Sequence, residues 1–260
     1  MHQPLSYINP SSNIARNVVI EPFVTIEKNV KIGEGTWIGS NVTIMEGSRI
    51  GKNCRIFPGA VISAIPQDLK FKGEDSLTRI GDNCTIRECA TINRGTNARG
   101  ETTIGENCLI MAYAHIAHDC IIGNDCVIVN SVALGGHVEI GDFAIIGGLS
   151  AVHQYVSIGK HCMISGGSLV RKDVPPYVKA AREPLSYVGI NSIGLRRRGF
   201  KDKKIQEIQN IFRILYQNNN NNTQAIFKIE TEITVSPERD EIIAFIQNSG
   251  RGIMRGYNQK

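Results

Sequence analysis

An aliphatic residue recurs at every sixth position over most of this 260-residue chain. Of the 28 positions spaced by six from Ile8 to Val170, all but Asp68, Glu74 and Ala98 hold Ile, Leu or Val. A period of six fits neither the 3.6-residue turn of an α-helix nor the plain alternation of a strand. Each hexad instead encodes one short strand and one corner, and three hexads close a triangular coil of about 18 residues.

Stacked coils of this kind bury their aliphatic residues in one continuous core, with parallel strands about 4.8 Å apart. The hexads therefore predict a mainly β fold, a left-handed parallel β-helix, over residues 1–189. The repeat has two gaps, from Ile62 to Ile80 and from Ile92 to Ile104, and both are multiples of six. The coil should continue in phase around them, so we predict two loops leaving a rigid scaffold, where functional residues are often found.

The cysteines follow the same register. Six of the seven stand four places after the aliphatic residue of a hexad, a position that otherwise holds small residues. No CxxC spacing occurs, which disfavours a zinc cluster, and buried reduced thiols are predicted instead. The six are Cys54, Cys84, Cys108, Cys120, Cys126 and Cys162.

The sequence changes character after Val174-Pro175-Pro176, where apolar residues begin to follow the helical period. Ser236-Pro237-Glu238 has the cap, the proline and the acid of a helix start, and Thr223 is placed to cap the helix before it. The first long helix should end in the asparagine run 218–222. We predict a small C-terminal α-helical domain over residues 190–260.

Charge is unevenly distributed along the chain. Residues 1–170 carry 13 Lys and Arg against 15 Asp and Glu, whereas residues 171–260 carry 16 against 9. The segment Arg196–Lys204 holds six cations in nine residues. This segment has no interleaved aromatic platform on which bases could stack, so a nucleic-acid role is disfavoured. It is expected to bind a phosphate ligand or an acidic protein, or to be only a solvated helix start.

Two absences bear on the compartment. No apolar run approaches the roughly 20 residues of a membrane helix, so no membrane span is expected. The first five residues show neither the basic nor the apolar region of a secretory signal. A cytoplasmic protein is therefore predicted.

Five of the six histidines fall in the second half of the repeat region. With 18 residues per coil, His118, Gly136 and Gln154 lie in one column, and Asp119 and His137 lie in the next. A general base beside a carboxylate, with a glycine amide one coil away, is the arrangement that acyl transfer needs.

Two other interpretations of the histidines remain open. Histidines on a solenoid face are often only solvated. A metal site is the second alternative, because His115 and His118 are three residues apart, yet a β-coil does not bring such a pair to one point and no third ligand stands out. We predict no metal site.

Several short motifs follow one another in a specific order. They are Gln67–Lys70, Asn93–Thr96, His115–Cys120, Gly136–Val138, Asp142–Gly148, Ala151–Gln154, Asp173–Tyr177 and Gly194–Phe200. In this order they resemble the UDP-N-acetylglucosamine O-acyltransferases of lipid A biosynthesis, and the resemblance covers nearly the whole chain. Many transferases share the hexad alone, whereas the ordered set is specific.

The resemblance implies a homotrimer with active sites in the clefts between subunits. It implies transfer of a 3-hydroxyacyl chain from acyl carrier protein to the glucosamine 3-hydroxyl of UDP-N-acetylglucosamine, the first step of lipid A biosynthesis, without a metal or bound cofactor. By match to the family motif, His118 is the general base, Asp119 orients it and the Gly136 amide stabilises the oxyanion. Gly166 matches the position that sets acyl length.

The remaining matched positions concern the sugar nucleotide. They are Asp68, Lys70, His115, His137, His153 and Gln154 for the sugar nucleotide as a whole, and Asn191, Arg197 and Arg198 for the uridine and phosphates. The loop 63–79 is expected to reach over a neighbouring subunit. Two positions depart from the family: Asn93 stands where members often have His, and Ile193 where they often have an acid.

Four alternative functions are open at this stage. Some family members acylate a 3-amino sugar and form an amide. A related N-acyltransferase of the same pathway carries an additional N-terminal domain, whereas the hexads here begin by Ile8. An acetyltransferase would bind coenzyme A and need no long acyl groove. A non-catalytic scaffold would not need His118 beside Asp119.

Overall fold

The computed structural model describes residues 5–217 and 221–256, and over this part of the chain it has 28 strands and four helices. The solenoid strands are β1 Tyr7–Ile8, β2 Asn13–Ile14, β3 Val19–Ile20, β4 Thr25–Ile26, β5 Lys31–Ile32, β6 Trp37–Ile38, β7 Thr43–Ile44, β8 Ser48–Ile50, β9 Arg55–Ile56, β10 Val61–Ala64, β11 Leu77–Ile80, β12 Thr85–Ile86, β13 Thr91–Asn93, β14 Glu101–Ile104, β15 Leu109–Ile110, β16 His115–Ile116, β17 Ile121–Ile122, β18 Val127–Ile128, β19 Ala133–Leu134, β20 Glu139–Ile140, β21 Ile145–Ile146, β22 Ala151–Val152, β23 Ser157–Ile158, β24 Met163–Ile164 and β25 Leu169–Val170. The C-terminal elements are β26 Val178–Ala181, β27 Ser186–Ile190, α1 Ser192–Arg197, α2 Asp202–Gln217, α3 Asn222–Glu232, α4 Pro237–Asn248 and β28 Arg255–Gly256.

Every third solenoid strand belongs to the same sheet, so the coil has three faces. Sheet A runs from β1 to β25 and sheet B from β2 to β23. Sheet C runs from β3 to β24 and continues through β26, β27 and β28. Within the solenoid, paired strands are parallel and one coil apart, as where His115 pairs with Ala133, whereas β26 and β27 pair antiparallel. The β-helix of hexapeptide repeats and the helical region after it, both predicted from the sequence, are confirmed.

The core of the coil is the aliphatic residue of each hexad. Ile26, Ile56 and Ile116 have no exposed surface, and most of their equivalents in the other coils are buried to a similar degree. The six cysteines in hexad register are also buried and unpaired, as predicted. Their thiols reach carbonyl oxygens of the following coil, for example from Cys84 to Gly105 at 3.0 Å. They therefore fill the corners of the core without leaving a polar group unsatisfied.

Both insertions leave the coil at the corner between sheets A and B, which we call the A/B edge. Val61 pairs with Thr91 and Leu77 pairs with Glu101, so strands on either side of each insertion stay in register. The first insertion spans residues 65–76, because β10 and β11 extend into the predicted loop 63–79. The second spans residues 94–100. We call the other two corners the B/C edge and the C/A edge.

The helical region packs with the apolar faces that its sequence predicts. Ile205, Ile208 and Phe212 of α2 are buried. Ser236 caps α4, with its side chain accepting the N–H of Arg239. The predicted cap at Thr223 is wrong: Asn221 caps α3.

A reciprocal capping box explains the cap at Asn221. Its side chain accepts the backbone N–H of Gln224, whose own side chain bonds the N–H of Asn221, and two free donors are satisfied together. Of the asparagine run in which α2 was expected to end, residues 218–220 lie outside the described residues, and α2 is described as far as Gln217. Within the described ranges, no helix combines the length and the apolar character needed to cross a membrane.

The last coil is bonded to the helical region by polar contacts. The hydroxyl of Tyr177 donates to Glu241 of α4, and Lys160 forms an ion pair with the same carboxylate at 2.7 Å. Ser249 donates to Asp173 at 2.6 Å. Sheet C also runs into this region, so the helical region is joined to the end of the solenoid by both a sheet and side-chain contacts.

Candidate active site

His118 and Asp119 stand at the A/B edge, in the corner between β16 and β17. The Nδ1 of His118 lies 2.7 Å from Oδ2 of Asp119, and the Asp119 side chain has no exposed surface. An ionised carboxylate can only accept, so Nδ1 carries the proton and the lone pair of the ring is left on Nε2. That tautomer is the one a general base requires.

The surroundings of Asp119 keep it ionised. Burial alone would raise its pKa, but two hydrogen bonds from Thr96 and one from His118 outweigh that effect and hold the pKa of Asp119 below its usual value. The backbone N–H of Asp119 donates to the hydroxyl of Thr102 at 2.8 Å. Its backbone is left-handed, with φ of 59°, a conformation that Asp tolerates better than most residues.

Gly136 lies one coil above His118, and the two are in close contact. A Cβ built on Gly136 would stand 2.6 Å from Cε1 and 2.7 Å from Nε2 of the His118 ring, so only glycine leaves room for the imidazole. The backbone N–H of Gly136 has no acceptor among the described residues. A free amide donor beside a free Nε2 can bind an oxyanion while the base handles a proton.

His137 occupies the corner above Asp119, as the column spacing predicts. Its Nε2 is 3.7 Å from Oδ2 of Asp119, and its ring stacks on that of Tyr155 with centroids 4.4 Å apart. Burial lowers the pKa of His137, and the neighbouring His118 and Arg99 add to this although Asp119 opposes it. His137 is therefore a neutral hydrogen-bonding group near pH 7.

The only group of described residues that could hold a metal ion is His118, Asp119 and His137, whose ligand atoms lie within 4.8 Å of one another. His115, which the sequence suggested as the partner of His118, is not in this group and bonds Thr91 at 2.8 Å. Both oxygens of Asp119 already accept hydrogen bonds. The three residues thus form one cluster in which Asp119 bonds His118 and Thr96.

Further residues named from the sequence surround this centre on the same edge. Burial and the nearby His118 lower the pKa of His115. Asp68 accepts the N–H of Lys70 at 2.9 Å within the first insertion, and its charge acts on His137. His153 and Gln154 are exposed one coil above Gly136. A single chain therefore brings these candidate sugar-binding residues to the candidate base.

The candidate nucleotide residues lie elsewhere, near the B/C edge. Asn191 is buried and caps α1, accepting the N–H of Gly194 at 3.3 Å and donating to the carbonyl of His161 at 3.0 Å. The guanidinium of Arg198 lies 4.9 Å from the ring centroid of Phe143. Both polar ends of Asn191 are thus engaged within the chain, which gives it a structural role at the start of α1.

Gly166 and Arg197 are also remote from His118 in one chain. Gly166 lies at the C/A edge, where an added Cβ would meet the carbonyl oxygen of Gly148 at 3.1 Å. Arg197 is exposed on α1. The candidate residues thus lie at all three edges of the solenoid, and bringing them into one site would need more than one chain.

Two features of the site escape the sequence pattern. Thr96 lies in the second insertion, where the hexad register gives no position. His161 is in register, but the sequence pattern does not show its burial between the rings of Phe143 and Tyr177. Burial lowers its pKa to about 4. The sequence signal that could have predicted this burial is a histidine between two aromatic residues, Phe143 and Tyr177.

The two departures from the family pattern have different settings. Asn93 is buried and its amide donates to the carbonyl of Ile65 at 3.1 Å, which anchors the start of the first insertion. Ile193 is 62% exposed on α1. Asn93 therefore supports the wall of the site, whereas Ile193 presents an apolar side chain to solvent.

Two protein-family models match segments of this chain and define its class. The model described as bacterial transferase hexapeptide (six repeats) matches residues 29–64 and 101–136. The model described as UDP-N-acetylglucosamine O-acyltransferase, domain 2, matches residues 173–254. The two matches together define a narrower class than the hexapeptide solenoid alone: hexapeptide transferases that carry this C-terminal region.

Relatives that match over most of the chain identify one family within this class. The acyl-[acyl-carrier-protein]–UDP-N-acetylglucosamine O-acyltransferase of Myxococcus xanthus is 42% identical over 197 residues, covering 75% of this chain and 76% of the relative. Its counterpart from Trichlorobacter lovleyi is 46% identical over 201 residues, covering 76% and 77%. The crystal structure of LpxA, a UDP-N-acetylglucosamine acyltransferase from Bacteroides fragilis, superposes with a TM-score of 0.97 at 52% identity, covering 98% of this chain and 100% of that one. The chain belongs to this family of acyltransferases.

Proposed function

We propose that this acyltransferase moves a 3-hydroxyacyl chain from acyl carrier protein to the glucosamine 3-hydroxyl of UDP-N-acetylglucosamine, the first step of lipid A biosynthesis. The names of its relatives support the donor and the acceptor. The observation that carries the chemistry is the His118–Asp119 pair, whose imidazole packs against Gly136, a residue with no acceptor for its N–H among the described residues.

In the proposed reaction, Nε2 of His118 takes the proton of the sugar hydroxyl as that oxygen attacks the thioester carbonyl. Asp119 stabilises the imidazolium that forms. The Gly136 N–H donates to the oxyanion of the tetrahedral intermediate. When the intermediate collapses, the C–S bond breaks and the imidazolium returns its proton to the leaving thiolate, so the ester and free carrier thiol are the products.

The thioester is already activated, so this scheme uses no metal and no bound cofactor. Asp68, Lys70 and the histidines of the A/B edge hold the sugar nucleotide in it. Arg197 and Arg198, with Asn191 behind them, face the uridine and phosphates, and Gly166 limits the acyl chain. Since these groups lie at different edges of the solenoid, the proposal requires a homotrimer in which each cleft combines edges from two subunits.

Charge supports the proposed donor. The excess of cations after residue 170 suits both an acidic carrier protein and a diphosphate. Complementarity of this kind chiefly accelerates encounter, and its effect weakens as salt is added. We place the reaction in the cytoplasm, where the carrier protein and the nucleotide sugar would both be available.

Mass spectrometry of the product tests the proposal directly. Purified protein is incubated with 3-hydroxyacyl carrier proteins of several chain lengths and with UDP-N-acetylglucosamine or its 3-amino analogue. We expect an ester on the 3-hydroxyl and one preferred chain length. Amide formation from the amino sugar alone would move the acceptor from oxygen to nitrogen. No transfer to either acceptor by folded protein, or transfer from acetyl-coenzyme A instead, would refute the proposed function.

A further inference from the structure

Thr96, from the preceding coil, forms two hydrogen bonds with the side chain of Asp119. The backbone N–H of Thr96 donates to Oδ1 of Asp119 at 2.9 Å, and the Thr96 hydroxyl lies 2.6 Å from Oδ2. Thr96 is only 7% exposed. A single residue thus occupies both carboxylate oxygens, and Oδ2 is also the oxygen that bonds His118.

The direction of the Thr96 hydroxyl proton follows from its other contact. Its oxygen accepts the backbone N–H of Ala98 at 3.2 Å, which leaves the proton free to point at Asp119. Hydrogen bonds to a charged group are the strong ones. Bonded at both oxygens, the carboxylate cannot rotate about its Cβ–Cγ bond, and the acceptor for His118 stays fixed in space.

The loop that carries Thr96 is itself held firmly. Gly95 packs against the backbone of Glu101, where an added Cβ would meet the nitrogen at 2.3 Å. Arg99 forms an ion pair with Glu139 of sheet B. The N–H of Asn97 donates to Glu74 of the first insertion. Thr96 is therefore presented by a braced segment and not by a loose loop tip.

We propose that Thr96 is a positioning residue of the acyl-transfer site, acting on His118 through Asp119. Its hydrogen bonds go to the carboxylate, and none joins it to the imidazole among the described residues, so it orients the base without taking part in proton transfer. The inference rests on the proposed function. It also assigns a function to the second insertion, because this segment brings both the side chain and the backbone N–H of Thr96 to the carboxylate.

The test compares two substitutions at Thr96. Thr96→Val keeps the shape and removes the hydroxyl, and we expect kcat to fall about 10- to 100-fold, the range of a charge-assisted hydrogen bond. KM for UDP-N-acetylglucosamine should stay near the wild-type value. Thr96→Ser keeps the hydroxyl and should restore most of kcat. Equal losses in the Val and Ser variants would contradict the hydrogen-bond role.

Thr36 offers a matched control in the same solenoid. Its buried hydroxyl also donates once, to the carbonyl of Gly51 at 3.0 Å, and also accepts one backbone N–H, from Cys54 at 3.1 Å. Thr36→Val should lower stability to a comparable extent and leave kcat unchanged. If Thr36→Val lowers kcat as much as Thr96→Val, the effect is one of general destabilisation and the inference is wrong.

A double-mutant cycle separates positioning from structure. In an Asp119→Asn background, Thr96→Val should cost no further activity, because its effect passes through the carboxylate. Additive losses would overturn the proposal. Should Thr96→Val fail to fold, Thr96→Ala carries the same expectations in the same cycle.

A readout without substrate keeps this inference distinct from the proposed function. The Nδ1 proton of His118 should give a downfield proton resonance that disappears in Asp119→Asn. In Thr96→Val we expect that resonance to broaden or move upfield, since the loosened acceptor speeds exchange with water. An unchanged resonance would refute the role of Thr96 whether or not the wild type transfers an acyl group. An inactive wild type would refute only the proposed function.

Discussion

At the scale of single residues, the site depends on contacts that allow little substitution. The His118 ring rests on the Cα of Gly136, so the proposed base and the proposed oxyanion donor are adjacent by packing alone. Asp119 fixes the tautomer of His118, and Thr96 fixes Asp119. In the proposed reaction, this geometry is present before substrate binds, which would favour the transition state over the ground state.

Removal of the proposed base is the first prediction at this scale. His118→Ala should lower kcat by about 10²- to 10⁴-fold, as is usual when a general base is lost, while the far-ultraviolet circular dichroism spectrum stays unchanged. Steady-state kinetics measure the loss. Lys52→Ala, an exposed corner residue away from the histidines, serves as the control. Near-normal turnover in His118→Ala would exclude it as the base.

His161 predicts an acid-sensitive stability. Burial, followed by the charges of Arg198 and Lys160, lowers its pKa to about 4, and its Nδ1 has no hydrogen-bond partner in the described chain. The unfolded chain takes up a proton below about pH 6.5, whereas the folded chain resists it until about pH 4. The stability that neutral His161 contributes is therefore complete above pH 6.5 and is lost as the pH falls towards 4.

Urea unfolding at pH 7 and pH 5 checks this dependence. His161→Phe suits the aromatic stack and cannot be protonated, so its unfolding midpoint should change less between the two pH values than that of the wild type. His153→Phe, at an exposed position, should keep the wild-type dependence. The same pH dependence in His161→Phe as in the wild type would contradict the assignment.

At the scale of elements, the hexad register explains what the sequence could predict. Because each coil has a fixed length, the number of residues between two positions predicts where they lie relative to each other. The sequence alone could therefore predict which residues share a column with His118 or with Asp119. The insertions have no such register, so the contact of Thr96 with Asp119 was beyond reach. The capping of α3 was missed for a related reason: Thr223 and Asn221 are both good caps, and only the reciprocal bond with Gln224 decides between them.

The α3 cap gives a prediction within one helix. Asn221→Ala removes the acceptor for the Gln224 N–H and should lower the free energy of opening of α3 by about 1 kcal/mol. Thr223→Ala, at an exposed position inside the helix, should change it by less than about 0.5 kcal/mol. Amide hydrogen exchange of α3 measures both. Greater loss of protection in Thr223→Ala would return the cap to Thr223.

The domain boundary at residues 189 and 190 remains a proposal at this scale. It falls at the end of β27, which still pairs with β26 of sheet C. Helix α2 lies against β27, and Tyr187 stacks on Phe212 with ring centroids 5.4 Å apart. If the boundary is correct, limited proteolysis should cut close after β27 and leave the coil intact.

At the scale of the whole molecule, the candidate site residues of one chain lie at three separate edges of the solenoid. The candidate base stands at the A/B edge, the arginines near the B/C edge and Gly166 at the C/A edge. A triangular prism keeps its edges apart, and no motion short of unfolding could bring them together in one chain. Union of these residues in one site therefore depends on neighbouring subunits.

Mixed assemblies test this dependence. His118→Ala and an Arg197→Ala, Arg198→Ala double variant should each be nearly inactive alone. When the two are assembled together from equal amounts, about a quarter of the clefts would combine an intact His118 with intact arginines from the neighbour. We expect about that fraction of wild-type turnover, with light scattering reporting a mass three times the 28.6 kDa of the chain. Mixtures as inactive as their components, or a monomeric mass, would place the site within one subunit.

The placement of both insertions at the A/B edge bears on how such an enzyme can diversify. Each insertion begins and ends between strands that remain paired in register, so its length can change without shifting a single coil. The proposed base, His118, belongs to the solenoid, while part of the surrounding wall belongs to the insertions. If the proposed function is correct, mutations in the insertions can alter which acceptor fits while the proposed proton-transfer residues stay unchanged, and descendants could acquire new substrates without first losing the reaction.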